Sequence, residues 1–362
     1  MAPPNSETLA QDIEKIDLKQ LAREKGRYLV YPETKYPEIE EFVHKDPGHR
    51  ADPKLASLYD NAEKIFDLTP QIGTEIHGLQ LNKLTDKQKD DLALLVAERG
   101  VVFFRKQDIN VHEAIKLGEY YGPLHIHNTF GHPPELPPIH VVYFDTQTPK
   151  QYFNYRRAGD AWHSDVSYEK QPPGLTILKI DLLPGEAGGD TMWASGYSAY
   201  DRLSPAMQKF VEGLEAVHTG QMQVDEAISA GHAVRRETWE ATHPVVRVHP
   251  VTGWKSLYVQ PGFTKHIVGM SRRESEAILG FLNNHIIAGH NFQVRFKWEE
   301  DSVAVWDNRV TCHNAMFDYL DVGRRHGYRV TPQAEKPYYD ANGKSKHEAD
   351  IAKAQAKQKQ KQ

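Results

Sequence analysis

The sequence predicts a mainly β chain with flanking helices, an α+β protein of sandwich, jelly-roll or barrel type. Two observations carry that expectation. Short runs rich in β-branched and aromatic residues recur between residues 139 and 332, separated by Gly, Pro, Asn and Asp. Helical patterns interrupt these runs without alternating with every one, so a doubly wound parallel sheet is not expected. There is no internal repeat.

In chain order, residues 1–67 read as an N-terminal helical extension, with a helix around "LAQDIEKIDLKQLAREKG" and an irregular stretch, "HKDPGHRADPKLA". The texture changes at Leu68. The run "IGTEIHGLQL" alternates like a strand, "TDKQKDDLALLVAERG" is a helix with Thr85 as N-cap and Gly100 as its stop, and "VVFFR" is a short buried strand. A second helix, "NVHEAIKLGEYYG", leads into "LHIHNTFGHPPELPP", a loop too proline-rich for regular structure. Strands are then expected at "IHVVYF", "HSDVSY", "LTILKIDLL", "VVRVHP", "SLYVQP", "FQVRFKW", "SVAVWDN" and "YRVTP", with helices at "SGYSAYDRLSPAMQKFVEGL" and "SRRESEAILGFLNNHIIA". The main domain is expected over 68–335. Residues 336–362 form a Lys- and Gln-rich tail, expected to be disordered or a frayed helix because it has little apolar surface to bury.

Composition narrows the function. Hydrophobic residues are 39% and charged residues 26% of the 362, as in a globular protein, and no apolar run is long enough to span a bilayer. The first residues lack the basic and apolar segments of a targeting signal, so a cytoplasmic location is expected. With 44 Lys and Arg against 49 Asp and Glu, the net charge of -5 gives no broad attraction to nucleic acid or anionic membrane. The one cysteine, Cys312, excludes an intrachain disulfide and any multi-cysteine metal site; it reads as a small core residue. A metal here must be held by His, Asp and Glu.

In "AWHSDVSYE", residues 161–169, His163 and Asp165 stand two apart, which on a strand places both side chains on one face. A further imidazole completes a 2-His-1-carboxylate set, the facial arrangement that holds non-haem Fe(II) and leaves positions open for O2 and substrate. His313, in "WDNRVTCHNAMFDY", is the leading candidate. A competing reading uses His125 and His127 of "HIH", with His132 nearby, as an all-imidazole zinc or copper site, and implies hydrolytic chemistry without oxygen.

These motifs stand in one order with "GPLHIH", "WHSDVSYEKQPPG", "GGDTMWASGYSAYDRLS", "GFTKHIVGMS" and "RRHGYRVTP". Between Leu68 and Pro332 the chain thereby resembles the taurine/α-ketoglutarate dioxygenase family, its sulfonate-cleaving members in particular. The resemblance implies a double-stranded β-helix, the jelly roll of the Fe(II)/2-oxoglutarate dioxygenases, with Fe(II) on His163, Asp165 and His313. It implies Arg325, aided by Thr191, for the distal carboxylate of the cosubstrate 2-oxoglutarate, a task that suits a planar two-pronged donor. It places Arg329 on the substrate's sulfonate and His127, Val166 and Phe263 in the substrate pocket.

Two positions depart from the taurine-specific pattern. Where that pattern has an asparagine and a tyrosine on the substrate's amine, this chain has Gly159 and Phe130. An ammonium there loses two partners, at about 1–3 kcal/mol for a desolvated polar group left unpaired. Small alkyl- or arylsulfonates are therefore expected as substrates in preference to taurine. The implied reaction hydroxylates the carbon next to the sulfonate and releases sulfite and an aldehyde, with succinate and CO2 from 2-oxoglutarate. The alternatives are the same machinery acting on a small carboxylate or amino acid, by hydroxylation or oxidative cyclisation, and a catalytically silent binding protein on the same fold. A small anionic organic substrate, no nucleic-acid or membrane partner, and a homo-oligomer complete the expectations.

Overall fold

The computed structural model describes residues 17–25, 29–145, 161–237, 239–319 and 322–359. Its largest sheet has seven strands: β1 (Lys64–Asp67), β2 (Thr74–His77), β3 (Val101–Phe104), β4 (His140–Phe144), β5 (Leu175–Leu182), β13 (Ser302–Asp307) and β15 (Arg325–Val330). Their order is β1-β2-β3-β13-β5-β15-β4. All pairs are antiparallel except β2 with β3, which the helix Asp86–Arg99 joins by a crossover. A three-stranded sheet pairs β6 (Thr191–Ser195) with β12 (Gln293–Phe296) and β14 (Thr311–Ala315). Smaller sheets join β7 (Glu215–Thr219), β8 (Glu240–Pro244) and β11 (Thr264–Ile267), and β9 (Val246–Val248) with β10 (Lys255–Leu257). The result is a sheet-rich α+β chain, as the strand runs predicted.

Strand alternation explains how the layers meet. On β3 and β13, Val102, Phe104, Val303 and Val305 face the helices Asp86–Arg99 and Val111–Tyr121, whereas Phe103, Ala304 and Trp306 face Trp193, Val294 and Phe296 of the smaller sheet. The same parity governs β15. Tyr328 and Val330 join the helix-facing core, so Arg325 and Arg329, on the opposite parity, turn to the inner face. On β14, His313 faces the cavity between the sheets while its neighbour Cys312 packs in a separate apolar cluster, and burial raises that thiol to about 12.

The helix ends follow local chemistry. Thr85 and Gln88 form a capping box at Asp86–Arg99, which Gly100 ends, and Asn110 with Glu113 does the same for Val111–Tyr121. Two expectations need correction. The "HSDVSY" stretch is not a strand: His163 makes a single bridge to His313, and Asp165 begins a turn in which Val166 has φ 39°. The helix expected over "SGYSAYDRLSPAMQKFVEGL" is two, Gly196–Asp201 and Pro205–Val211, because Ser204 caps a new helix with Pro205 in its first turn. The helix Gln221–Ser229 and the strands β1, β6, β7, β8, β11 and β14 were not foreseen; β1 falls within the expected 1–67 extension yet pairs with β2 in the main sheet.

Of the N-terminal helix, Leu18–Lys25 is described; the part over residues 9–16 lies outside the described residues. Further on, Asp46 forms a buried ion pair with Arg309 at 2.6 Å. Toward the C-terminus, Lys346–Lys359 is a helix, in which Ala349 packs on a cluster including Trp254 and Lys353 pairs with Glu98 at 2.8 Å. Among the described residues, no helix is long and apolar enough to cross a membrane.

Candidate metal centre and substrate cavity

The bridge between His163 and His313 is a pair of backbone hydrogen bonds, 3.0 and 2.8 Å, joining the loop before β5 to strand β14. It sets the two imidazoles side by side, with ring centroids 4.2 Å apart. Asp165, two residues on, completes the set: its Oδ1 lies 3.7 Å from the Nε2 atom of each histidine. The donor atoms of the three lie within 4.8 Å of one another, and among the described residues no other group of His, Cys, Asp or Glu is so arranged. His163 donates from Nδ1 to the Ala161 carbonyl at 2.8 Å, which leaves the Nε2 lone pair for a metal.

Asp165 is fixed on every side. Its Oδ2 accepts from the Thr176 hydroxyl at 2.8 Å, its Oδ1 from Arg329 Nη1 at 2.8 Å, and its backbone N–H donates to Asn308 Oδ1 at 3.1 Å. Asn308 in turn accepts from Trp306 Nε1 and donates to Thr176, so one buried amide aligns the carboxylate's supports. Burial alone pushes the Asp165 carboxyl up, but Arg329, then His313 and His163, then the Thr176 hydroxyl hold it well below the usual carboxylate range. Burial, with the His163 and Arg329 charges, lowers His313, so its imidazole is neutral and able to donate a lone pair. A lone pair from each of two imidazoles and an ionised carboxylate, facing a cavity on one side, fit a facially held divalent iron.

That cavity encloses about 1210 Å³, part of it open to solvent. Thr191, Arg325, Arg329, Phe130, Val166 and Phe263 all line it with the three donors. Arg325 is 3% exposed and makes no ion pair among the described residues; it donates to the Gly189 carbonyl at 3.2 Å, and its Nε is buried without a partner. Burial lowers its pKa, offset in part by the Tyr319 hydroxyl and Asp190. An orphaned donor on a buried guanidinium is what a carboxylate ligand would satisfy. The left-handed backbone of Gly189 belongs to this cradle, since a Cβ there would meet Arg325 Nε at 3.0 Å. Thr191 accepts from Trp298 Nε1 at 3.0 Å, which leaves its hydroxyl proton to donate. The adjacent Arg324 points away and binds the Ala22 and Arg23 carbonyls.

Arg329 bridges Asp165 and His140, with Nη2 3.2 Å from His140 Nδ1. His127 lies one layer back, its ring stacked on Phe130 at 4.0 Å, and lines a small recess that shares Phe130, His140 and Arg329 with the main cavity. Phe263 stands edge-on to His163 at 5.8 Å. Gly159 lies outside the described residues. The zinc reading of "HIH" is not supported: His125 bonds Glu169 at 2.8 Å and Arg236 at 3.1 Å, and His132 bonds the Pro133 carbonyl.

The sequence reading missed several residues. Asn308 reads as a turn residue, and nothing local marks it as a support for Asp165. Gly262 permits close approach of the chain to the site, because a Cβ there would meet His163 Cβ at 2.8 Å. His140 and the helix residues Met222, Gln223 and Glu226 also line the cavity. His140 alone had a readable signal, an inward position on a strand ending in an alternating run.

A family model described as "Taurine catabolism dioxygenase TauD, TfdA family" matches residues 64–331. The alpha-ketoglutarate-dependent dioxygenase cnsP of Penicillium expansum is 45% identical over 316 residues, covering 84% of this chain and 85% of that protein. The alpha-ketoglutarate-dependent sulfonate dioxygenase of Saccharomyces cerevisiae is 39% identical over 339 residues, covering 90% and 82%. The crystal structure of a taurine dioxygenase from Burkholderia xenovorans superposes with a TM-score of 0.66 at 34% identity, covering 78% of this chain and 94% of that one. The chain is thus an alpha-ketoglutarate-dependent dioxygenase, an oxidoreductase of the kind that uses Fe(II), 2-oxoglutarate and O2. It belongs to the TauD, TfdA family of dioxygenases.

Proposed function

We propose that the enzyme hydroxylates the carbon next to the sulfonate of a small organosulfonate, in a double-stranded β-helix whose inner faces are the two sheets around the cavity. The observation that carries this reading is Arg329, a partly buried cation held 2.8 Å from Asp165 on the cavity wall, with its Nε unpartnered. The name of the Saccharomyces cerevisiae relative supports a sulfonate as the anion. His163, Asp165 and His313 hold Fe(II), and Arg325 with Thr191 holds the distal carboxylate of 2-oxoglutarate. Bound together, iron and 2-oxoglutarate supply the O2-dependent oxidation of a C–H bond, with conversion of 2-oxoglutarate to succinate and CO2.

The chain's own residues decide which bond is presented. Arg329 binds the sulfonate through fixed N–H donors, which brings the adjacent carbon toward the metal centre; orientation of this kind supplies several kcal/mol of the barrier. Phe130, Val166 and Phe263 cover the remainder of the substrate and exclude water. The product, a 1-hydroxysulfonate, loses its hydroxyl proton as its C–S bond breaks, the electron pair leaving with sulfur as sulfite and an aldehyde remaining. Phe130 offers no hydrogen bond to an amine, so an alkylsulfonate such as 1-butanesulfonate is preferred to taurine. Arg329→Gln tests the reading. It is expected to raise the KM for 1-butanesulfonate by about 10²-fold, the loss of one charge-assisted pair, and to leave the KM for 2-oxoglutarate unmoved. An unmoved sulfonate KM contradicts the assignment.

A further inference from the structure

The loop that carries His127 and Phe130 is held from behind by two adjacent arginines that follow the helix Gln221–Ser229. Arg235 donates through Nη2 to the carbonyls of His127, at 2.9 Å, and Phe130, and through its backbone N–H to the Asn128 carbonyl at 2.9 Å. Arg236 donates to the Ile126 carbonyl at 3.0 Å and, with Glu169 at 2.8 Å, holds His125. Neither arginine is on the wall of the main cavity.

The helix at the other end of this segment does reach the cavity, through Met222 and Gln223. Gln223 is tied back to the loop by Tyr168, whose hydroxyl donates to Gln223 Oε1 at 2.8 Å and lies 3.4 Å from His127 Nε2. His127 Nδ1 accepts from the Thr129 and Phe130 amides, both at 3.2 Å, so its proton sits on Nε2 and faces the Tyr168 oxygen. Mouth helix, inner loop and the two arginines are therefore one hydrogen-bonded unit.

Arg235 carries an unusual cost for a loop support. It is fully buried, meets no carboxylate among the described residues, and leaves Nε and Nη1 without partners, with the Tyr36 ring 5.3 Å away. Burying an uncompensated guanidinium is unfavourable, and such departures from polar satisfaction concentrate where function requires a fixed position.

We propose that Arg235 and Arg236 are positioning residues for substrate recognition, fastening the Gln221–Ser229 helix to the 125–130 loop so that Phe130 and His127 stand at a set distance from Arg329. The proposal rests on the reading that the organic substrate lies between Arg329 and Phe130. It makes residues 221–236 a specificity element that acts on the substrate wall and not on the 2-oxoglutarate cradle.

The test compares full-length wild type, Arg235→Lys and Arg329→Gln. Lysine keeps the charge but replaces the planar fork by a single ammonium. KM is measured for 1-butanesulfonate and for 2-oxoglutarate, and amide exchange is followed over residues 124–131 in the metal-free protein. Arg235→Lys is expected to raise the sulfonate KM about tenfold through a displaced wall, to hold the 2-oxoglutarate KM within about twofold, and to speed exchange at Thr129 and Phe130. An unchanged sulfonate KM with unchanged exchange overturns the proposal, and so does a parallel rise of both KM values, which marks general loosening. Arg329→Gln separates the two readings: if it leaves the sulfonate KM in place, the substrate lies elsewhere and the functional reading fails, while amide exchange in Arg235→Lys still decides the clamp. Should Arg235→Lys fail to accumulate, Tyr168→Phe removes only the hydroxyl joining His127 to Gln223, and the same split is expected.

Discussion

Replacing Arg325 by methionine isolates the cosubstrate cradle from the rest of the fold. The guanidinium is buried, makes no ion pair among the described residues, and keeps an unpartnered Nε beside the cavity. A carboxylate bound there gains two charge-assisted hydrogen bonds at about 1.5–3 kcal/mol each, so their loss is worth about 3–6 kcal/mol. Arg325 already donates to Gly189 and interacts with Tyr319, so the low end applies. At 1.4 kcal/mol per decade, the KM for 2-oxoglutarate should rise about 10²-fold. Folding should not suffer: methionine removes a buried charge that makes no ion pair among the described residues, so the unfolding midpoint of the unliganded protein should hold or rise. Steady-state rates against 2-oxoglutarate at saturating 1-butanesulfonate, paired with thermal unfolding, read both quantities. A change in 2-oxoglutarate KM below about threefold, or a loss of activity that tracks loss of folded protein, refutes the reasoning.

Two further predictions follow from the packing. His243 is buried with its Nε2 3.0 Å from the Glu169 carbonyl, and burial and then the Arg247 charge lower its pKa to about 4. The unfolded chain takes up this proton near pH 6.5 and the folded chain does not, so the group's stabilisation is complete above 6.5 and lost as pH falls toward 4, about 3 kcal/mol in all. Urea midpoints measured from pH 7.5 to 4.5 should fall in the wild type and fall less in His243→Gln; equal slopes would contradict the sign. Gly262→Ala places a methyl 2.8 Å from His163 Cβ and 3.0 Å from the Trp162 carbonyl, so the imidazole must shift. Fe(II) affinity measured anaerobically should drop about 10–100-fold, and unchanged affinity would show that the neighbouring chain absorbs the methyl instead.

Much of the site was legible because its chemistry is local or periodic. His163 and Asp165 stand out by their two-residue spacing, whereas Arg325 and Arg329, four apart on one face of a strand, were singled out by the family resemblance and not by spacing. The reason given for the first pair was nevertheless incomplete: His163 and Asp165 converge through a turn at Val166, not through strand pleating. The supports of Asp165 were illegible because Thr176 and Asn308 come from β5 and the end of β13, brought together by tertiary pairing. The helix Gln221–Ser229 escaped notice for a local reason. It begins at Gly220 without a side-chain cap and runs only nine residues. Strand β6 was masked by the helical pattern that continues from it; its first residue, Thr191, lines the cavity.

The central claim is oxidative release of sulfite, and one measurement addresses it. The protein is reconstituted anaerobically with Fe(II) and 2-oxoglutarate, O2 is admitted with 1-butanesulfonate, taurine or a small carboxylate, and succinate and sulfite are scored together. The account predicts equimolar succinate and sulfite with 1-butanesulfonate, and less efficient turnover of taurine. Succinate coupled to the carboxylate with no sulfite from any sulfonate would contradict it.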